Sequence, residues 1–241
     1  MIQLNNLSFS YKEISALSNI NLTIHKGESI ALIGANGSGK STLLKLINGI
    51  VFPSSGSYLF DGMEITEDSL EESKFSKIFH KRIGFVFQNS ESQLFNSNVY
   101  EEIAFGPKQM GLDEEEIEIR VSDCLKLLDI EALRNRTPYN LSGGEKKRVA
   151  IASVLALNPE VLVLDEPMNG LDPRTKRFIR ELMLKLNASG KTLICSTHDF
   201  EYVDGVFKRA IVFSKDHTII RDGLYNEIIQ DEKFLIENNI K

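Results

Sequence analysis

The spacing of apolar and polar residues changes along this 241-residue chain, and each kind of spacing predicts a type of secondary structure. Alternation between the two classes predicts half-buried strands, which suit an antiparallel sheet, at residues 2–4, 7–9 and 20–24. Short apolar runs predict buried parallel strands at residues 29–33, 83–87, 161–164 and 192–196. Residues 210–213 and 218–221 predict a hairpin-like pair near the end of the chain.

Apolar residues at helical spacing predict helices between these strands. The predicted helices cover residues 42–49, 99–130, 146–157, 173–188 and one or two segments after residue 224, with a polar helix or irregular segment at 69–81. Asp113 is the predicted N-cap of the helix that carries an apolar stripe at residues 117–128. Glutamates at positions 114–116 fill its first turn, where negative charge meets the positive end of the helix dipole. This explanation of the acidic run is preferred to a metal-binding one.

Composition limits the possible classes of protein. A hydrophobic content of 42% supports a real core and excludes disorder. A net charge of -6 argues against a dedicated nucleic-acid binder, for which a basic balance is expected. The two cysteines, Cys124 and Cys195, form no CxxC pair, so we expect both to be buried, reduced core residues.

Two further features of the sequence bear on where in the cell the protein is found. Residues 1–4 lack the basic and apolar regions of a signal peptide. The longest apolar runs are far shorter than the ~20 residues that span a bilayer. We therefore expect a cytoplasmic protein that reaches a membrane only through a partner.

Residues 34–41 fit the pattern G-x-x-x-x-G-K-[ST], which is typical of a phosphate-binding loop. A predicted strand precedes the loop and a predicted helix follows it, as this motif requires. Glycines let backbone N–H groups approach phosphate oxygens, and the helix directs its positive end at the same oxygens. Lys40 should then reach the β- and γ-phosphates, and the Ser41 hydroxyl should bind Mg²⁺. The alternative is a glycine-rich turn that merely connects strand and helix.

Polar side chains follow several other predicted strands at the point where ligands bind in α/β sheets. They are Gln88, the pair Asp165 and Glu166, and the segment from Thr197 to Asp199, which contains His198. Because unpaired buried carboxylates are costly, a metal ion and a water would explain the acidic pair.

Two further sites are suggested by single motifs. The segment Ser142-Gly143-Gly144 opens a predicted helix and forms a second phosphate-sized anion site. Tyr11 could stack on an adenine ring, although packing on the sheet is the better explanation when this tyrosine is considered alone.

Taken in order, these motifs resemble those of the ATP-binding subunits of ABC transporters, and the resemblance covers essentially the whole chain. It implies an α/β fold with a P-loop NTPase (RecA-like) core, an antiparallel β subdomain and an inserted α-helical subdomain at about residues 90–158. It also implies a single domain over residues 1–241 with a short helical tail at about 222–241. The implied activity is ATP hydrolysis coupled to transmembrane transport.

The resemblance implies a role for each motif residue. Asp165, Ser41 and Gln88 would hold Mg²⁺, Glu166 would activate or orient the attacking water, and His198 would contact the γ-phosphate. Tyr11 would stack on adenine, and the phosphate loop would bind ATP through Gly34, Asn36, Gly37, Ser38, Gly39, Lys40, Ser41 and Thr42. Ser142, Gly143 and Gly144 would complete the site of a facing subunit in a head-to-tail dimer.

Residues 88–95, 101–107 and 141–152 are similar to the ATPases of energy-coupling-factor importers, which take up cobalt, nickel or vitamins. This similarity implies a second ATPase subunit, identical or paralogous, a transmembrane coupling protein and a membrane substrate-binding protein as partners. It places the chain at the cytoplasmic face of the membrane. The segment after Gln88 would grip the coupling protein, or would be ordinary subdomain core. Ser90-Glu91-Ser92 departs from the usual Pro-Asp-Asp, and Met168 and Asn169-Gly170 depart from the usual Thr and Ser-Ala.

Two other functions remain as alternatives. A soluble ABC-type ATPase acting on nucleic acid or ribosomes would usually carry a long coiled coil or a second cassette, and this sequence has neither. A regulatory module that binds ATP without turnover would not need both Glu166 and His198. Nothing in the sequence names a transported solute.

Overall fold

Two β-sheets organise the residues that the computed structural model describes, which are residues 1–240. In chain order the strands are β1 (Ile2–Tyr11), β2 (Ile14–Ile24), β3 (Ser29–Gly34), β4 (Ser55–Phe60), β5 (Met63–Glu64), β6 (Ile83–Val86), β7 (Val161–Asp165), β8 (Thr192–Ser196), β9 (Arg209–Phe213) and β10 (Ile219–Leu224). The helices are α1 (Lys40–Ile47), α2 (Glu67–Glu71), α3 (Ser73–Arg82), α4 (Val99–Gln109), α5 (Glu114–Leu127), α6 (Gly143–Leu155), α7 (Pro173–Ala188), α8 (Tyr225–Gln230) and α9 (Glu232–Glu237).

The smaller sheet is antiparallel, as predicted, with the strand order β2-β1-β4-β5. The two short segments predicted at residues 2–4 and 7–9 form one continuous strand, β1. A register shift lies between Leu4 and Leu7, and Asn6 has a φ of 46°. This bulge changes the spacing of the buried residues from two to three, so Leu4 and Leu7 both reach the core. The bulge interrupts the alternation, and the sequence therefore suggested two strands.

The larger sheet has the order β10-β9-β3-β8-β7-β6. The four pairings from β9 to β6 are parallel, and they join β9 to β3, β3 to β8, β8 to β7 and β7 to β6. Strand β10 pairs with β9 in the antiparallel sense. Parallel strands end at the same edge of a sheet, so the segments that follow β3, β6, β7 and β8 converge there. The predicted site residues Gly34, Gln88, Asp165 and His198 belong to these segments.

Separate apolar clusters cover the two faces of this sheet. Ile30 and Leu32 of β3 pack with Leu43 and Leu44 of α1 on one face. Ala31 and Ile33 point to the opposite cluster, which includes residues of α5, α6 and α7. Because alternate residues of β3 face opposite clusters, the strand is buried on both sides and its sequence is apolar throughout.

Helices α4, α5 and α6 lie between β6 and β7 in the chain. The stripe predicted on α5 is buried, and its members are Ile117, Val121, Cys124, Leu125 and Leu128. Asp113 caps α5 as predicted, since its side chain accepts a hydrogen bond from the backbone N–H of Glu116.

Several helix boundaries differ from the prediction. Residues 110–113 divide the segment predicted at residues 99–130 into α4 and α5, because Gly111 has a φ of 75° and leaves the helical conformation. Glu72, with an extended backbone, divides the segment predicted at residues 69–81 into α2 and α3. Helix α6 begins at Gly143, before the predicted start at residue 146, because Ser142 caps it in a capping box with Glu145. Within residues 1–240, no helix combines the length and the apolar character that crossing a bilayer requires.

Candidate functional site

The carboxyl edge of the larger sheet opens into a cleft of about 830 Å³. Most of the predicted site residues line it, namely Tyr11, Gly34, Asn36, Gly37, Gly39, Lys40, Ser41, Thr42, Gln88, Glu166 and His198. Ser38 and Asp165 are buried next to lining residues rather than in the wall itself. Ser142, Gly143 and Gly144 lie outside the cleft.

The loop from Gly34 to Ser41 has the shape of an anion cradle. Gly39 has a φ of 105°, and a Cβ on it would lie 2.3 Å from the carbonyl oxygen of Ala16, so this position requires glycine. Gly37 has a φ of 80° and no atom within 4 Å of a Cβ position, so it faces open space. The Oγ of Ser38 is buried without a hydrogen-bond partner among the described residues. These features fit a loop that holds phosphate oxygens.

Lys40 is buried at the start of α1 and is held by its own loop. Its Nζ donates hydrogen bonds to the carbonyl oxygens of Gly34 at 2.7 Å and Ala35 at 2.9 Å. Burial lowers the pKa of Lys40, while the nearby carboxylates of Glu166 and Asp165 oppose that shift. The ammonium group is therefore placed in the cleft next to two negative charges.

Asp165 ends β7 and is 5% exposed. Its Oδ1 accepts hydrogen bonds from the Oγ of Ser41 at 3.1 Å and the Oγ of Ser196 at 2.5 Å. Among residues 1–240, no cluster of three His, Cys, Asp or Glu side chains could hold a metal by itself. A hydroxyl next to one carboxylate fits Mg²⁺, which commonly takes only one or two protein carboxylates and completes its shell with phosphate oxygens and waters.

Glu166 lies at the centre of a polar network. Its Oε2 accepts hydrogen bonds from the Nε2 of Gln88 at 2.9 Å and the Nδ2 of Asn169 at 3.3 Å. Its Oε1 lies 3.5 Å from the Nδ1 of His198. The backbone of Glu166 has a φ of 43°, a left-handed conformation that costs a β-carbon residue about 1–3 kcal/mol. The backbone N–H is held in place by the Oγ of Ser196 at 2.9 Å.

Tyr11 ends β1 at the mouth of the cleft and is 43% exposed. Its ring meets Phe9 edge-on, with 4.8 Å between the ring centroids. A partly exposed ring supported from one side can stack on a flat ligand.

The segment at the N-terminus of α6 forms a second candidate anion site, away from the cleft. Ser142 is exposed, and its Oγ contacts Glu145 within the capping box. A Cβ on Gly144 would lie 3.0 Å from the Oγ1 of Thr175, so the start of α6 packs closely on α7. None of the three residues Ser142, Gly143 and Gly144 lines the cleft of its own chain.

Several residues of the site have no counterpart in the sequence prediction. Asn169 lines the cleft, as do His217, Asn239 and Ile240. Ser196 is the last residue of β8 and pairs with Asp165, so the rule that polar strand ends gather at one edge could have found it. Asn239 and Ile240 carry no local signal, because only tertiary packing brings the end of α9 to the cleft.

The end of α9 is closed by a Schellman motif. Asn239 has a φ of 54°, and its N–H donates to the carbonyl of Ile236 at 3.0 Å. The N–H of Ile240 donates to the carbonyl of Leu235 at 2.9 Å. This geometry directs Ile240 against the core and into the cleft wall.

Lys147 of α6 is buried beneath the same site. It is 3% exposed, and its Nζ donates to the carbonyl oxygens of Phe87 at 3.0 Å and Gln88 at 2.8 Å. Burial lowers the pKa of Lys147 to about 8. No local pattern predicts this contact, since Lys147 stands between Lys146 and Arg148 in a run of basic residues.

A glycine loop at the head of a helix, acidic residues at the end of a neighbouring strand and a parallel sheet together define a P-loop nucleotide-binding protein. Comparison with known proteins gives the family. A family model described as "ABC transporter" matches residues 17–169. The chain belongs to the ABC transporter family, and it is an ATP-binding subunit with the ATPase activity of that family.

Curated relatives match nearly the whole chain. A putative ABC transporter ATP-binding protein of Clostridium acetobutylicum is 63% identical over 240 residues and covers 100% of both chains. The nickel import ATP-binding protein LarO of Lactiplantibacillus plantarum is 48% identical and covers 92% of each chain. The energy-coupling factor transporter ATP-binding protein EcfA of Methanothermobacter thermautotrophicus is 42% identical, over 98% of this chain and 74% of its own.

Solved structures share the fold. CbiO1 of Clostridium perfringens, described as part of the ABC transporter complex cbiONQ, superposes with a TM-score of 0.84 at 38% identity and covers 100% of this chain and 94% of its own. The cassette MJ0796, in a dimeric post-hydrolysis state with ADP and Pi, gives a TM-score of 0.83 at 33% identity and covers 93% of this chain and 98% of its own. The predicted α/β fold with a P-loop core is thereby confirmed.

Proposed function

We propose that this chain is the ATP-hydrolysing subunit of an importer of the energy-coupling-factor type, which takes up cobalt, nickel or a vitamin. The observation that carries the catalytic part is the meeting of Gln88, Glu166 and His198 around one point of the cleft, next to Lys40. The names of LarO, EcfA and CbiO1 support the importer class. Recognition of the transported solute would be the task of a membrane partner.

Within the cleft, each side chain has a proposed role in phosphoryl transfer. Lys40 and the loop N–H groups neutralise the β- and γ-phosphates, and Tyr11 stacks on the adenine. Ser41 and Asp165, with Gln88, hold Mg²⁺, which supplies positive charge to the phosphate oxygens when it is bound. Glu166 accepts a proton from the attacking water, and His198 contacts the γ-phosphate. Such transfer needs positioning and charge neutralisation rather than covalent chemistry.

Ser142, Gly143 and Gly144 are proposed to bind the nucleotide of a facing subunit. Their position outside the cleft of their own chain supports this role, because a head-to-tail pair would bring each segment to the other chain's cleft. MJ0796 is described in a dimeric state bound to ADP and Pi, which supports the proposal that such a cassette works as a dimer. ATP binding closes such a pair, and hydrolysis lets it open.

The partner surface is proposed to be a groove of about 270 Å³ near residues 91–96. Phe95 is 67% exposed and Tyr139 is 86% exposed, and the two aromatic side chains line the same groove. Exposed apolar side chains that gather in a groove rimmed by polar residues mark interaction surfaces. Glu91 forms an ion pair with Lys146 across 2.5 Å at its rim. An apolar groove with a charged rim suits a helix of a transmembrane coupling protein, which would hold this chain at the cytoplasmic face of the membrane.

The test is to purify this subunit, under its native promoter and with a tag before Met1, from detergent-solubilised membranes, and to identify the proteins that come with it. A coupling membrane protein together with a substrate-binding membrane protein is the expected result. A Phe95→Asp variant should lose both partners while keeping its ATPase activity. Recovery of ribosomal or nucleic-acid-processing proteins instead would overturn the transport role and leave the ATPase intact.

A further inference from the structure

Lys147 is a buried lysine that forms no direct ion pair within the described residues, although the nearby carboxylate of Asp165 acts on it electrostatically. Lysine is rarely buried this deeply without such a pair. Its ammonium group is satisfied by two backbone carbonyls, those of Phe87 and Gln88. Burying a charge is costly, so these two hydrogen bonds hold the segment tightly once they are formed.

A second tether joins the same helix to the same segment. Gln93 accepts a hydrogen bond from the N–H of Phe87 at 3.1 Å and donates one to the carbonyl of Ala150 at 3.1 Å. Ala150 lies about one turn beyond Lys147 on α6. Helix α6 is therefore fastened at two points to the two residues that follow β6.

The fastened segment ends in a residue of the catalytic network. The backbone of Gln88 is held by Lys147, and its side-chain amide reaches Glu166 at 2.9 Å. The other end of the connection is the N-cap of α6, Ser142. One rigid helix thus links the site proposed to bind the facing subunit's nucleotide to the amide that contacts Glu166 in its own cleft.

We infer that Lys147 is a positioning residue for ATP hydrolysis, which fixes the backbone of Gln88 to α6 so that the Gln88 amide reaches Glu166. When Ser142 moves, Gln88 moves with it. This inference rests on the roles proposed above for Gln88, Glu166 and Ser142.

The test is a double-mutant cycle on the full chain, measuring kcat, KM and ATP affinity. Lys147→Met keeps the length of the side chain and removes its donors, and we expect kcat per folded molecule to fall about ten- to a hundredfold with ATP affinity nearly unchanged. Combined with Gln88→Ala, Lys147→Met should add almost nothing to the loss caused by Gln88→Ala alone. Both changes act on kcat through the same contact, that of the Gln88 amide with Glu166. Lys147→Arg, which keeps a charged donor, should restore most of the rate.

The matched control is Lys191→Met. Lys191 also donates to a backbone carbonyl, that of Pro159 at 2.7 Å, but it precedes β8 at the opposite edge of the sheet. The variant Lys191→Met should lower the free energy of unfolding and leave kcat unchanged. If Lys147→Met does not fold, Lys147→Leu, which also lacks donors, takes its place in the cycle.

Two results would count against the inference, and they are distinguishable. If the losses from Lys147→Met and Gln88→Ala multiply, Lys147 does not act through Gln88, and the proposed catalytic roles stand. If Gln88→Ala turns over ATP at the wild-type rate, the role proposed for Gln88 fails, and the inference fails with it.

Discussion

The side-chain amide of Gln88 donates a hydrogen bond to the carboxylate of Glu166 across 2.9 Å, although 78 positions separate the two residues in the chain. Neighbouring parallel strands make this contact, because β6 and β7 pair along their length and end at the same edge. Asn169 approaches the same oxygen at 3.3 Å from the turn that follows β7. Two neutral amides thus orient the carboxylate without neutralising its charge.

Removing the charge of Glu166 should stop turnover and leave binding intact. Glu166→Gln keeps the shape of the side chain but cannot take a proton from water, so we expect kcat to fall by about 10²–10⁴-fold. Steady-state ATPase assays and ATP titration measure the two effects. Glu115→Gln, on the exposed first turn of α5, should behave like the wild type. Turnover near the wild-type rate in Glu166→Gln would contradict the role of Glu166 as the acceptor of the proton from water.

Two inactive variants should regain ATPase activity when they are mixed, if each active site is formed by two chains. Ser142→Arg and Lys40→Ala chains are each expected to be inactive, and a random mixture should regain roughly a quarter of the wild-type rate, since half of the dimers then carry one intact site of two. Mixing Ser142→Arg chains with chains that carry both changes leaves no intact site and serves as the control. Verified mixed dimers without recovery would contradict the head-to-tail arrangement.

Tyr11 should contribute to ATP affinity through its ring rather than its hydroxyl. Stacking of a base on an aromatic ring is worth about 1–3 kcal/mol, so Tyr11→Ala should weaken ATP binding about 5- to 150-fold. Tyr11→Phe should bind ATP nearly as well as the wild type. Equal affinity in all three proteins, measured by titration calorimetry, would mean that the ring only packs on Phe9.

Gly39 and Gly190 allow a comparison of steric conflict with backbone strain. Both have positive φ, 105° and 90°, but only a Cβ on Gly39 would collide with a backbone atom, the carbonyl oxygen of Ala16. Gly190→Ala should cost about 1–2 kcal/mol and keep ATP binding. Gly39→Ala should cost more and lose ATP binding, because the loop must shift. Thermal unfolding and ATP titration test this, and equal behaviour of the two variants would refute it.

The two cysteines should be inert in the folded protein. Burial raises the pKa of Cys124 to about 12 and that of Cys195 well above its ordinary value, so almost no thiolate is present at pH 8. Iodoacetamide at pH 8 should leave the native chain unmodified and should alkylate both thiols in guanidinium chloride, as read from the intact mass. Rapid labelling of either thiol in the native protein would show that its surroundings open.

Local signals in the sequence were sufficient for much of the fold. Helix α7 runs from Pro173 to Ala188 as predicted, because an aspartate cap and a proline at the first position mark its start. Strand β8 also has its predicted bounds, since its apolar run is short and clearly delimited. The order of motifs was enough to predict the family.

What the sequence could not reveal depends on contacts between distant segments. Lysine is usually a surface residue, and Lys147 is buried only because α6 packs against the end of β6. Asn169 looks like an ordinary turn residue until β7 brings it to Glu166. The bulge in β1 is set by pairing with β2 and β4 rather than by local propensity.

The Schellman motif after α9 has a practical consequence for handling this protein. Ile240 lies in the wall of the cleft, so a bulky group attached to this side chain would compete for space with the nucleotide. Met1 lies elsewhere, with its Sδ 3.5 Å from the Oγ1 of Thr192 at the start of β8. Affinity handles, fluorophores and surface-immobilisation chemistry therefore belong before Met1, on the side of the molecule that faces away from ATP.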